Sequence, residues 1–305
     1  MTFKLLIRTL RAPFFTATTS AALLGNLVAL WRTGTLDPWM LLLSLAGIAA
    51  LNAGVNTAND FFDSVSGNDE ANRYYSPFNG GSRVIQDGLV SRRTVGLVSL
   101  VCFLIAGGLG AVLWLLTPGN WVLYLGLFGL VTGFFYAAPP FKLGYRGLGE
   151  LIVALDVALL PVLGGYYVQA GTFDSGAFYA GIAAAFLILG VIWVNQIPDI
   201  EADAAVGKRT LVVRLGARRS RTAFAVIVAA VYVSSLVLAL LGVLPYWTLL
   251  VFLTLPLAVG AVRGVFSNYD QPRALVPAEG KTVQLQLAGN LALSLGFALA
   301  VLIPL

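Results

Sequence analysis

Residues 195–221 read NQIPDIEADAAVGKRTLVVRLGARRSR, and this stretch decides how the rest of the chain is understood. It leaves an apolar run, sets Asn195, Asp199 and Asp203 four residues apart, and turns basic at Lys208 and Arg209. In a helix of 3.6 residues per turn, positions i, i+4 and i+8 share one face. An amide and two carboxylates on that face, at the mouth of a hydrophobic segment, form a cluster of hard oxygen donors. Such a cluster suits Mg²⁺ shared with phosphate groups, and the cations just beyond can hold the remaining phosphate charge. A solvated loop with mixed charges would read the same way in isolation.

A second copy separates the two readings. Residues 56–69, NTANDFFDSVSGND, also leave an apolar run and again put an amide and carboxylates on one helical face: Asn56, Asp60 and Asp63. Arg73 and Arg83 follow, as Lys208 and Arg209 do in the other copy. Two such faces together could hold one or two Mg²⁺ ions around a diphosphate.

Composition sets the medium. Of 305 residues, 58% are hydrophobic and 11% charged, and the mean hydropathy is +0.86. A soluble domain carries about 25% charged residues, so this chain cannot cover a water-facing surface and is read as an integral membrane protein. The net charge of +5 is a matter of its distribution, not a sign of nucleic-acid binding. A lone Cys102 excludes an internal disulfide and a cysteine-based metal site. With no histidine, imidazole acid–base chemistry and His-ligated metals are excluded, which leaves carboxylates, amides, phenols, Lys and Arg.

Apolar stretches long enough for about 30 Å of hydrocarbon predict nine transmembrane helices, over residues 14–31, 39–58, 94–116, 121–138, 148–169, 177–197, 222–241, 246–266 and 283–303. The basic start with Lys4, Arg8 and Arg11 resembles a signal peptide, but the run is long and more spans follow, so it is read as the first span. With the N-terminus cytoplasmic, all 19 Lys and Arg except Arg32 fall on the cytoplasmic side or in the last turn leading to it. This positive-inside pattern puts both motif loops in the cytoplasm. The motifs follow the second and sixth spans, an even offset that suggests a parallel repeat.

Three further features carry chemistry. In residues 76–93, SPFNGGSRVIQDGLVSRR, Gly80-Gly81 permits close backbone approach to an anion, and Arg83 is a candidate phosphate contact. Residues 135–150, FYAAPPFKLGYRGLGE, gather Tyr136, Lys142, Tyr145 and Arg146 at one edge: phenols whose ring faces could stabilise a cation, and cations for a leaving group. An interfacial belt of aromatics and snorkelling cations accounts for the same residues. Asp156, in LIVALDVALLP (151–161), puts an ionisable group inside an apolar span, which marks it for function or for a structural pairing.

NTANDFFD, YRGLGE and DIEADAAVGKRTLVVRLG resemble the UbiA-type intramembrane prenyltransferases, most closely their 1,4-dihydroxy-2-naphthoate branch in menaquinone synthesis. The likeness runs from the first span to about Arg214. It implies a single membrane domain over residues 1–305, with nine helices around a central cavity roofed by two cytoplasmic loops, in the plasma (inner) membrane. It also implies Mg²⁺ held through diphosphate by Asp60, Asp63, Asp199 and Asp203. Asn56 and Asn195 complete the two motifs, Lys142 and Arg146 match basic positions, and Tyr136 falls near an aromatic of the active site. Gln196 and Pro198 depart from the naphthoate branch, where an Asn and an Arg are expected.

On this reading a polyprenyl diphosphate ionises against Mg²⁺, with Arg83, Tyr145, Lys208 and Arg209 among the substrate contacts. The allylic cation meets Tyr136, and an electron-rich aromatic acceptor attacks it, with Asp156 positioning the acceptor or taking its proton. Membrane lipid is the surrounding partner. Other acceptors stay open: 4-hydroxybenzoate, homogentisate or a glycerol phosphate lipid. So does an ion-coupled transporter, which Asp156 favours but which usually shows inverted repeats and a midplane site.

Overall fold

The computed structural model describes residues 2–303, and among these every regular element is a helix. Nine helices carry the fold: α1 (Ala12–Thr33), α2 (Pro38–Ser66), α3 (Arg92–Leu116), α4 (Trp121–Phe134), α5 (Gly149–Ala170), α6 (Ser175–Gln196), α7 (Ala217–Leu240), α8 (Tyr246–Asn268) and α9 (Pro272–Leu302). Eight are long and apolar enough to cross a membrane. The exception is α4, with 14 residues. At 1.5 Å per residue α4 reaches about 21 Å, short of the ~30 Å of hydrocarbon. The sequence predicts it to residue 138, but Pro139 and Pro140 donate no N–H and disfavour a helical residue before them, so the chain has already left the helix.

Two other departures bear on chemistry. Helix α2 runs well past the expected residue 58, to a left-handed Gly67 with φ 78°, and these added turns hold the first acidic motif. Helix α6 stops at Gln196, and a separate short helix covers Ile200–Ala205. The expected single helical face through Asn195, Asp199 and Asp203 is therefore interrupted. Pro198 sits in the gap, where its ring and missing N–H break the ladder.

Helix α6 is the most buried span and packs against α1, α5, α7 and α9. Helix α1 meets α5 at backbone distance: a Cβ on Gly25 would lie 2.0 Å from the Val162 carbonyl oxygen, and one on Gly165 2.4 Å from that of Ala22. Only glycine fits at both, as expected where helices associate through small residues in lipid. Helices α3 and α4 instead expose Leu97, Leu100, Leu104, Leu127 and Phe128, the surface a bilayer solvates.

The connections 67–91 and 197–216 lie at one end and touch: Asn72 and Asn79, from the first, both donate to Asp199 of the second. The N-terminal segment joins that end, with Arg8 donating to the Ser82 carbonyl at 3.0 Å and pairing with Asp87. Arg32 stands at the other end, 3.0 Å from Asp174.

The charge asymmetry between these ends predicts the orientation. A single cysteine at exposed Glu70, in a Cys102→Ser background, should resist an impermeant thiol reagent in intact cells and react in inverted vesicles. The reverse pattern would overturn the orientation.

Candidate active site

The last turns of α2 set out the first motif. Asp60 is buried; it accepts from the Ser82 backbone N–H at 3.2 Å and lies 3.5 Å from the Arg11 guanidinium. Asp63 accepts from the Tyr145 hydroxyl at 2.7 Å and from the Asn59 amide at 3.1 Å. Asn56 donates to Asn52 at 2.8 Å. Gly81, at φ 73°, brings the loop backbone so close that a Cβ would lie 3.0 Å from Asp60 Oδ1 and 3.1 Å from Asp69 Oδ2.

The second motif straddles the break after α6. Asn195 donates to the Phe78 carbonyl at 2.9 Å. Asp199 Oδ1 accepts from Asn72 and Asn79, both at 2.8 Å. Asp203 Oδ1 pairs with Lys208 at 3.1 Å, while its Oδ2 is buried without a partner. Asn195 Oδ1, Asn68 Oδ1 and both amide atoms of Gln196 are likewise buried and unpartnered.

A cavity of about 210 Å³ opens between the motifs. Asn56, Asp63, Tyr136, Asp156, Asn195, Asp199 and Lys208 line it, as sequence reading expects of site residues. Asp60 and Asp203 stand behind the wall, joined to it through Arg11 and Lys208. The remaining candidates turn elsewhere. Arg83 bonds the Asp69 carbonyl and lies over the Tyr75 ring. Tyr145 spends its hydroxyl on Asp63 and Ser66, with Lys142 over its ring at 4.9 Å. Arg146 is exposed and bonds the Pro140 carbonyl, and Arg209 is exposed. The sequence reading passed over Arg11, Asp69, Asn72 and Asn79, which line the same cavity. Their signal was weak: Arg11 looked like a topology charge, and the others like an ordinary polar loop.

Burial dominates the electrostatics. It pushes Asp69 up to about 8, with Asp63 and Asp60 adding repulsion, and Asp199 up to about 7, with Asp203 adding. Asp203 is raised as well, although Lys208 opposes the shift. Burial alone would lower Lys208, but Asp203, Asp63, Tyr136 and Asp199 around it hold it well above its usual value. Tyr136 is pushed to about 12 by burial, so its phenol stays neutral. Two nearby cations, Arg11 and Lys208, thus face a larger set of acids.

Below the acids, α5 takes a π-helical turn at Leu155–Leu159. Asp156 sits in it, accepts from Thr132 Oγ1 at 2.7 Å and leaves Oδ1 unpartnered. It also lines a second cavity, of about 310 Å³, walled by apolar residues of α2–α5. Gly107, Gly110, Gly126 and Gly164 border that slot, and a Cβ on any of them would meet no atom within 4 Å.

The UbiA prenyltransferase family model matches residues 18–279. The chain is 28% identical to the 2-carboxy-1,4-naphthoquinone phytyltransferase of Synechocystis sp., over 98% of this chain and 94% of that protein. It is 31% identical to the 1,4-dihydroxy-2-naphthoate octaprenyltransferase of Escherichia coli, over 92% and 91%. Among solved structures, a UbiA homolog from Archaeoglobus fulgidus bound to GPP and Mg²⁺ has a TM-score of 0.62 at 16% identity, covering 95% of this chain and 99% of that one.

The Tyr145 hydroxyl joins the turn after α4 to the first motif, so its removal should be felt in the fold. Tyr145→Phe leaves Asp63 Oδ1 without that donor and is expected to lower stability in detergent by about 1–3 kcal/mol, read as a fall in Tm. An unchanged Tm would mean that the bond carries no weight.

Proposed function

The chain belongs to the UbiA prenyltransferase family, and from that premise we propose that it transfers a polyprenyl group from a polyprenyl diphosphate to 1,4-dihydroxy-2-naphthoate, a step of menaquinone synthesis at the plasma (inner) membrane. The observation that carries this reading is the meeting of two acidic motifs over one cavity, with an apolar slot beside it that shares Asp156 in its wall. A donor with a diphosphate head and a hydrocarbon tail needs these two environments side by side. The naphthoate and naphthoquinone acceptors named for the relatives support the choice of ring.

The donor set fits Mg²⁺, a hard cation that takes oxygen ligands. Asp203 Oδ2 and Asn195 Oδ1 are buried oxygens with no protein partner. Among the described residues no three acids could hold a metal by themselves, so the ion would draw further oxygens from the diphosphate. Asp60, Asp63, Asp199 and Asp203 are the residues that would hold it, and that the Archaeoglobus fulgidus homolog is bound to both GPP and Mg²⁺ supports this. When bound, Mg²⁺ supplies positive charge opposite the leaving diphosphate.

The protein's own groups do the rest. Lys208 and Arg11 face the phosphates, and Asn56 and Gln196 offer amides at the cavity wall. The neutral Tyr136 turns an electron-rich ring toward the allylic cation. The apolar slot receives the tail, and the cap loops keep water from the cation. Asp156, which lines the cavity below the acids and leaves its buried Oδ1 without a partner, receives the acceptor's hydroxyl or its proton.

The test is a single assay: membranes, one labelled polyprenyl diphosphate, and a panel of naphthoate, hydroxybenzoate, homogentisate and glycerol phosphate acceptors, with the product identified by mass. Prenylated naphthoate is expected, and a product from another ring would replace the acceptor while keeping the reaction. In the same assay Asp60→Ala, Asp199→Ala and Asp203→Ala should each lose about 10²–10³-fold in rate, the scale of a lost oriented electrostatic group. Near-wild-type rates in two of them would remove the metal assignment.

Asp156→Asn separates chemistry from structure, because an amide oxygen can still accept from Thr132. A loss of about 10²-fold in kcat, the scale of a proton-transfer group, with unchanged affinity for an unreactive diphosphate analogue is expected. An unchanged kcat would return Asp156 to a structural role.

A further inference from the structure

Glu279 lies in α9, fully buried at 0% exposure, and is absent from the walls of both cavities. It stands at the capped end of α9, where a carboxylate taken out of water is costly unless it is hydrogen-bonded. Among the described residues its hydrogen-bond partner is Ser76, whose hydroxyl donates to Glu279 Oε2 at 2.8 Å, and Oε1 is buried without a partner among them. Ser76 belongs to the first cap loop, sixteen residues after the first motif's Asp60 in sequence and far from α9.

That hydroxyl is a hub. It accepts from the Phe78 backbone N–H at 3.1 Å, while the Ser76 backbone N–H donates to the Asn79 carbonyl at 3.4 Å and closes the turn 76–79. The same turn makes the bonds that reach the second motif: the Phe78 carbonyl accepts from Asn195, and Asn79 donates to Asp199. The Phe78 ring lies against Gly280, where a Cβ would be 3.3 Å from the ring. One turn of α9 thus both hydrogen-bonds the loop and seats its aromatic side chain.

We propose that Glu279 is a positioning residue: its bond to Ser76 latches the cap loop onto α9, so that the turn 76–79 holds Asn195 and Asp199 in the orientation the diphosphate and its cation require. This rests on the proposed function for what the site binds, but not for the latch itself. A Ser–carboxylate bond closed over an apolar helix is sheltered from water, and it fixes the loop at the one point where the chain turns toward the second motif. Without it, the turn that carries the Asn79 amide and the Phe78 carbonyl keeps its ring contact with Gly280 but loses its hydrogen bond to α9.

The test compares Glu279→Ala, Ser76→Ala, their double variant and Glu279→Gln in purified protein, with two readouts. The first is hydrogen exchange of residues 72–81 without ligand. Either alanine variant should speed exchange there by about 10-fold and leave α6 and α7 unchanged, while Glu279→Gln, whose amide oxygen still accepts from Ser76, should stay within about 2-fold of wild type. The second is Mg²⁺-dependent binding of an unreactive prenyl thiodiphosphate, expected to weaken by about 10-fold (about 1.4 kcal/mol) in both alanine variants and no further in the double variant. Donor KM should rise by the same factor with kcat moving less. Unchanged exchange in Ser76→Ala, additive losses in the double variant, or a Gln variant as impaired as Ala would overturn the latch. Should wild-type protein fail to bind the analogue, the proposed function fails, and the exchange data still judge the latch.

Discussion

Everything at the capped end answers to one constraint: several carboxylates must stay buried, beside hydrocarbon, without enough cations to neutralise them. In a low-dielectric setting an unpaired charge is costly, and a pair is worth its burial only when the geometry is good. The chain meets this in part by bringing donors to these acids from other parts of the sequence. Asp63, on α2, is held by Tyr145 from the turn after α4. Asp199, after α6, is held by Asn72 and Asn79 from the loop after α2. Each motif thus takes part of its orientation from residues outside itself.

The helices below serve that arrangement. Close packing of α1 on α5 through Gly25 and Gly165 brings the two halves of the bundle into register. Polar contacts within the bilayer reinforce it: Asn290 of α9 donates to Ser20 of α1 at 3.0 Å, and Asn26 accepts from Gln169 of α5 at 2.7 Å. Buried amides in a span find partners because the alternative is an unsatisfied dipole in hydrocarbon. The polar end is therefore anchored to a bundle whose helices are fixed along most of their length, except beside α3 and α4, where glycines leave the apolar slot open.

How much of this could be read in the sequence differs from residue to residue. Hydropathy located every span, because length and composition suffice for that, and the charge count gave both motifs the same side. The first motif's helical face held, since nothing between Asn56 and Asp63 interrupts α2. The second did not, because Pro198 ends the helix between Asn195 and Asp199. Basic residues misled for a related reason. Arg83 and Arg209 follow the motifs in sequence, and Arg146 sits in the turn after α4, but they bond backbone carbonyls or face outward. Arg11, far upstream, is brought to Asp60 only by tertiary packing. Long-range donors such as Asn79 for Asp199 carry no local signature: an asparagine beside Gly80-Gly81 reads as a turn residue until the partner acid is in view.

The parallel spacing of the motifs also explains why the two halves are not equivalent. Both follow a span that ends at the capped face, so both deliver an amide and carboxylates to one cavity, as a repeated unit would. Yet the first motif stays on a continuous helix, with Asn59 and Ser82 close by, while the second is released by Pro198 into a loop and depends on neighbours for its shape. The second motif's shape is therefore set by contact and not by one continuous helix: Asp199 is oriented from across the cap by Asn72 and Asn79, and Asp203 by Lys208.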